Sequence, residues 1–287
     1  MKTDLECLPC FFGQVTRTLN FAGVNGEQGR HIARQATRII EQASLDEVPA
    51  RTTTLIHRLL RRELGVDPYR AIKKDYNRIA LGKLPALRKL AGAAADPLEG
   101  GARAAIAGNV IDFGIYESID LDKSIEEAFR LPLSPPDCRR FFEAVQRSRR
   151  IVYLCDNAGE IAFDRVLIET LRERGKSVTV VVKGSPVIND ATLDDAAEVG
   201  LASSAELIDN GNDGIGTLLE ACSGQFTNAY DSADLIVSKG QANYETLFQT
   251  HDPRIFFLFK VKCPVVARSL GRENGDIVLM GGEGGPD

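Results

Sequence analysis

Cysteine is scarce in this sequence. Six in 287 residues are too few for a disulfide scaffold, so a reducing, cytoplasmic compartment is the expectation. Long apolar runs are missing as well. Nothing approaches the roughly 20 residues that a membrane-spanning helix needs. The opening MKTDLECLPCFFGQ has one Lys and two acids before a short apolar patch, which is not the order of a signal peptide. There is no excess of positive charge: 35 Lys and Arg stand against 40 Asp and Glu, for a net charge of −5. That balance argues against nucleic-acid or anionic-membrane partners. The three histidines, His31, His57 and His251, are scattered and give little support to a His-based nucleophilic triad. No internal repeat or long low-complexity linker interrupts the chain. What remains is an ordinary globular composition, 44% hydrophobic and 26% charged. Its length suits one large domain or two modest ones.

The chain changes character near residue 150. Residues 1–148 read as helices. Ile32, Ala36, Ile39, Ile40 and Ala43 recur at helical spacing, and Leu55, Ile56, Leu59, Leu60 and Leu64 follow Thr53 and stop at Gly65. Asp67-Pro68, Asp96-Pro97 and Ser134-Pro135 each pair an N-cap with a proline that opens a helix. The Gly, Ala and Arg content of residues 91–107 predicts a small-residue helix packed closely on a neighbour. From Arg150 onward, short apolar runs alternate with helical stretches. The runs are 151–155, 177–182, 206–209, 234–238, 255–259 and 277–280, apolar on both faces, as in a parallel sheet covered by helices. The Gly-rich tail at 281–287 is expected to fray.

In such sheets ligands bind beyond the carboxyl ends of the strands. Four of these ends are polar: Asp156-Asn157-Ala-Gly-Glu160, Lys183 through Asp190, Asp209 through Thr217, and Lys239-Gly240-Gln241-Ala-Asn243. Asp156, Asn157 and Asp190 offer oxygen ligands for a hard divalent cation, although each would equally serve as a helix cap or turn residue. Gly211 through Thr217, between a strand and a predicted helix at 217–222, is a candidate anion cradle or a plain flexible turn. It is neither a Walker A loop nor a dinucleotide fingerprint, because Leu219 stands where the last glycine belongs. Lys239 is either a phosphate-binding charge or a solvated strand-end lysine. Cys7-Leu-Pro-Cys10 supplies half of a thiolate metal site, which Cys263 could extend; packing cysteines are the alternative.

Several of these segments resemble the ARMT-like damage-control phosphatases, a metal-dependent family. The similarity runs through Cys7-x-x-Cys10, Gly108-Asn109-Val-Ile-Asp112-Phe-Gly114, Asp156 through Glu160, Lys183 through Asp190, Asp209 through Thr217, and Ser238 through Glu245. The CxxC resembles the branch found largely in prokaryotes. The resemblance implies a helical region over 1–148, with an inserted helical subdomain near 46–92, on a Rossmann-like three-layer α/β/α catalytic domain over 149–287 with a mainly parallel sheet. It implies hydrolysis of phosphate monoesters of small metabolites, such as sugar phosphates or damaged phospho-metabolites, with Mn²⁺, Co²⁺, Ni²⁺ or Mg²⁺. It carries the metal onto Asp156, Asn157 and Asp190, with Asp194 and Asp195 as alternatives to the last. Catalytic work then falls to Asp156, Glu160 and Lys239. Substrate contacts fall to Asn109, Asn212, Gly214, Gly216, Thr217, Gly240, Gln241 and Asn243. Asp156 or Glu160 would orient or deprotonate the attacking water, or an aspartate would be phosphorylated. A carboxyl methyltransferase and a non-enzymatic metal or redox module using the cysteines are the alternative functions.

Overall fold

The computed structural model describes residues 1–110 and 121–282. Ile111, Asp112, Phe113 and Gly114 of the Gly108 segment, and residues 283–287 of the tail, lie outside the described residues. Among the described residues, seven helices come first: α1 (Cys7–Phe21), α2 (Gly26–Glu41), α3 (Pro49–Leu64), α4 (Arg70–Gly92), α5 (Pro97–Val110), α6 (Leu121–Arg130) and α7 (Pro135–Arg147). An α/β region follows: β1 (Arg150–Leu154), α8 (Glu160–Glu173), β2 (Ser177–Val182), α9 (Leu193–Glu198), β3 (Glu206–Asp209), α10 (Gly224–Ser232), β4 (Leu235–Lys239), α11 (Gln241–Leu247), β5 (Ile255–Lys260), α12 (Pro264–Leu270) and β6 (Ile277–Gly281). The fold is thus a helical N-terminal region on a Rossmann-like α/β sheet. None of the described helices is long and apolar enough to cross a membrane.

Local chemistry accounts for several boundaries. Ser134 accepts the Asp137 amide at the start of α7, and Pro135 fills the first helical position. Asp96 accepts the Leu98 amide at 2.7 Å as α5 begins. Gly65 ends α3 in the left-handed conformation, φ 70°. Asp67-Pro68 behaves differently: the Asp67 carboxylate accepts the Tyr69 amide within a turn, and α4 starts only at Arg70.

The sheet order is β3-β2-β1-β4-β5-β6, all parallel except β5–β6, which is antiparallel. Side chains alternate between its two faces. Ile151 and Tyr153 join one core with α4, α5 and α8, while Val152 and Leu154 join a second with α10, α11 and α12. Burial on both sides is why these strands lack polar alternation. Helix α5 packs on α8 through small residues. A Cβ on Gly101 would sit 3.0 Å from the Leu167 Cα, and one on Gly108 would sit 3.1 Å from the Phe163 Cβ. Helices α1, α2 and α3 form a separate core around Phe11, Ile32, Ile56 and Leu60. This bundle faces the carboxyl edge of the sheet, and Arg58 and Arg61 of α3 both bind Asp213 there.

Candidate active site

The strand order reverses between β1 and β4, and the crevice of an open α/β sheet forms at such a point. Here a cavity of about 830 Å³ opens between the sheet edge and the α1–α3 bundle. Its floor holds Asp156, Asn157, Glu160 and Asp190, with Asn109 buried beside them, and Gln241 also lines it. Asp156 and Asn157 follow β1. Asp190 reaches them from the loop after β2, because Asn157 and Asp190 form an isolated antiparallel bridge. Two bonds fix the register: the Asp156 carbonyl accepts the Ala191 amide at 2.9 Å, and the Ala158 amide donates to the Asn189 carbonyl at 2.8 Å. Within that loop Ile188 has φ 42°, a costly conformation for a β-branched residue. Packing of Val187 and Ile188 with Ala50 of α3 and Ile215 holds it.

Three carboxylates therefore converge. Asp156 Oδ2 accepts the side-chain amides of Asn109 (3.1 Å) and Asn157 (2.8 Å). Burial, then Glu160 and Asp190, push the Asp156 carboxyl well above its usual range. Burial raises Asp190 as well, against the pull of Lys183, whose ammonium lies 3.5 Å away. Such crowding is what a bound cation relieves. The donor set is oxygen-rich and hard, which suits Mg²⁺ or Mn²⁺. Among the described residues no group of three His, Cys, Asp or Glu is arranged as a metal site, and the Asp156–Asn157–Asp190 set has an amide as one member. Neither alternative to Asp190 lines the cavity. Asp195 closes a capping box with Thr192 and binds Lys73 and Asn77, and Asp194 is exposed.

Lys239 does not line the cavity. It is fully buried beneath the floor. Its ammonium donates to Glu160 Oε1 (2.5 Å), Asp164 Oδ1 (2.6 Å) and the Ala105 carbonyl (2.9 Å), which uses all three protons. Burial alone would lower its pKa; Asp164 and Glu160 outweigh that, and the net shift is upward. Asp164 also accepts the Tyr153 hydroxyl at 2.8 Å, and burial raises it to about 6 despite Lys239. The lysine expected to meet a phosphoryl group instead neutralises buried carboxylates. Glu160, held by Lys239, accepts the Asn109 amide at 2.9 Å and so braces the residues around Asp156.

The other expected substrate contacts divide. Asn109 and Gln241 line the cavity; Asn212, Gly214, Gly216, Thr217, Gly240 and Asn243 do not. No α-helix follows Thr217. A single 3-10 turn at Leu219–Ala221 intervenes and α10 starts at Gly224, so the anion cradle at a helix start does not form. Asn212 closes its own loop by accepting the Gly214 amide, Thr217 donates to Asn243, and the Gly216 carbonyl accepts Lys183. Gly240, at φ 82°, lies against Asp156: a Cβ there would fall 2.1 Å from the Asp156 Cγ. Its missing side chain leaves room for that carboxylate.

The profile of the damage-control phosphatase ARMT1-like domain matches residues 3–278. The chain belongs to this family. It is 35% identical to a damage-control phosphatase of Pyrococcus horikoshii, across 98% of both chains. It is 34% identical to a damage-control phosphatase of Archaeoglobus fulgidus, across 97% of this chain and 98% of the other. A protein of Methanocaldococcus jannaschii of unassigned function is 38% identical across 98% of this chain and 95% of its own. The crystal structure of a DUF89 family protein from Pyrococcus horikoshii superposes with a TM-score of 0.91 at 34% identity, covering 98% of this chain and 99% of that one.

For a damage-control phosphatase fold, the cavity cations matter, and they are Arg17 of α1 and Lys260 and Lys262 after β5. None of the three has a salt-bridge partner among the described residues. Lys262 is exposed and close enough to Asp156 to draw its pKa downward. The sequence signal was present. The loop after β5, Lys260-Val-Lys262-Cys263, follows a strand at the same edge as the four polar loops. His57 lies on the α3 wall, its Nε2 3.0 Å from Gln14 Oε1. Burial, then Arg61 and Arg17, lower its pKa to about 3, so it is neutral.

Proposed function

We propose that this protein is a metal-dependent phosphatase acting on phosphate monoesters of small, damaged metabolites. The observation that carries the reading is the convergence of Asp156, Asn157 and Asp190 on the floor of a cavity whose lining cations include Lys262. The names of the Pyrococcus and Archaeoglobus relatives support the phosphatase class. In this reading Asp156, Asn157 and Asp190 hold a divalent cation. When bound, that cation supplies Lewis acidity toward a phosphoryl oxygen and offsets its charge.

The remaining work belongs to side chains. Lys262 meets the phosphoryl group from the mouth of the cavity, with Arg17 on the opposing α1 wall. Glu160, paired with Lys239, holds the Asn109 and Asn157 amides toward Asp156. The α1–α3 bundle walls off solvent and takes the rest of the substrate. The volume of the cavity falls within the range typical of small-molecule sites.

The test is a hydrolysis screen of phosphate esters with Mn²⁺, Co²⁺, Ni²⁺ and Mg²⁺, run on wild type, Asp156→Ala and Lys262→Met. Asp156→Ala is expected to lose metal-dependent hydrolysis. Lys262→Met is expected to lower kcat/KM on the order of a hundredfold, as for loss of one donor to a developing charge. Full activity in Asp156→Ala would overturn the reading.

A further inference from the structure

Hydrolysis of a phosphate ester leaves the cysteines without a role, yet they gather at the cavity. Cys7, Cys10 and Cys263 all line it, although Cys263 lies far away in sequence. Cys138 and Cys222 do not line it, and Cys155 is buried in the sheet core. Cys7 and Cys10 share the first turn of α1. Cys10 is exposed, while Cys7 packs with Phe11, Val15 and Val265.

The geometry points to Cys7 and Cys10 as a dithiol modification site for hydroperoxides, whose oxidation to a disulfide reshapes the α1 wall of the cavity. The exposed Cys10 sulfur attacks the peroxide O–O bond, giving Cys10–SOH and releasing water or an alcohol. The Cys7 sulfur then displaces the hydroxyl, which leaves as a second water, and the S–S bond forms. Two thiols are oxidised by two electrons and one hydroperoxide is reduced.

Burial raises the Cys7 thiol above its ordinary pKa, which suits a resolving rather than an attacking sulfur. Cys263 is a poorer partner. Its sulfur caps α12, accepting the Val266 amide at 3.5 Å and facing Gln241 Nε2 at 3.6 Å. Residues three apart on a helix have Cβ atoms about 5–6 Å apart, whereas a disulfide needs about 3.8 Å. The first turn of α1 must therefore tighten. Tightening gives up the 3.4 Å contact in which the Cys7 sulfur accepts the Asp4 amide, while the N-cap, Glu6, makes no side-chain capping bond that would have to break. Drawing Cys7 out of its cluster shifts Phe11 and Gln14, the next cavity-lining residues on α1. A shift of this kind at a substrate wall should lower kcat/KM on the order of tenfold.

The effect on turnover rests on the phosphatase reading; the disulfide does not. Reduced, metal-free protein is treated with hydrogen peroxide and its thiols are counted. Its peptides are then mapped, and hydrolysis of 4-nitrophenyl phosphate is measured after metal is restored. The expected result is loss of two of the six thiols, a Cys7–Cys10 crosslink, and a drop in activity that dithiothreitol reverses. Cys10→Ser should lose the crosslink and the reversible response, and Cys263→Ser should keep both. A Cys7–Cys263 crosslink, no crosslink, or a Cys7–Cys10 disulfide with unchanged kinetics overturns the proposal. If the reduced protein hydrolyses no ester, the phosphatase reading fails, while the peptide map still decides the dithiol.

Discussion

Lys239 shows what a single buried charge does in this protein. It neutralises Glu160 and Asp164 under the cavity floor. Removing it would leave two buried carboxylates without a counter-charge, at a cost of about 3–5 kcal/mol. Lys239→Met should therefore lower the urea midpoint strongly, whereas Lys262→Met, at an exposed position, should leave it within about 0.5 kcal/mol of wild type. His57 gives a pH signature of the opposite kind. Its folded pKa, about 3, lies below the ordinary value of 6.5. The stability it contributes is therefore complete above pH 6.5 and is lost as pH falls toward 3, because the unfolded chain takes up the proton first. Relative to wild type, His57→Asn should gain about 1.4 kcal/mol per pH unit below 6.5. Urea melts at pH 7, 6 and 5 measure that slope, and a pH-independent difference would show that His57 is not held neutral.

Among the elements, the turn from β4 into α11 matters most to the site. Gly240 has a left-handed backbone, and its missing side chain is where Asp156 sits. Gly240→Ala should displace the Asp156 carboxylate and strain the turn. The expected outcome is loss of calorimetric Mn²⁺ binding together with at least a hundredfold loss of hydrolysis; Mn²⁺ binding at wild-type affinity would show that the carboxylate can move aside. Element boundaries were legible where local chemistry decides them, as at Ser134-Pro135, Asp96-Pro97 and Gly65. The predicted helix at 217–222 failed because Thr217 spends its amide on Thr246 and its hydroxyl on Asn243. Those partners lie on α11, and nothing near Thr217 in the chain announces them.

At the scale of the whole molecule, the cavity exists because a helical bundle leans on the carboxyl edge of the sheet. A cation there would bind the folded chain alone. At a hundredfold excess over its Kd it would add about 2.7 kcal/mol of stability. Mn²⁺ should raise the melting temperature of the wild type by several degrees and leave Asp190→Ala unmoved. An equal shift in both would place the ion elsewhere.

The sequence by itself determined the helical first half and the alternating second half, since periodicity and caps act within a few residues. It also determined the close packing of α5, written in Gly101, Ala105 and Gly108, and the polar strand ends that hold Asp156, Asn157 and Asp190. Only the tertiary structure decided which lysine faces the cavity. Lys183, Lys239, Lys260 and Lys262 all follow or end strands at one edge, and their local sequences do not tell them apart. Lys239 turns inward because β4 is central and α5 and α8 present Ala105, Glu160 and Asp164 to it. Lys262 lies beyond the end of β5 and is exposed. The meeting of Cys7 with Cys263 had the same origin. It depends on α1 packing beside α12, a contact between distant parts of the chain that no local pattern encodes.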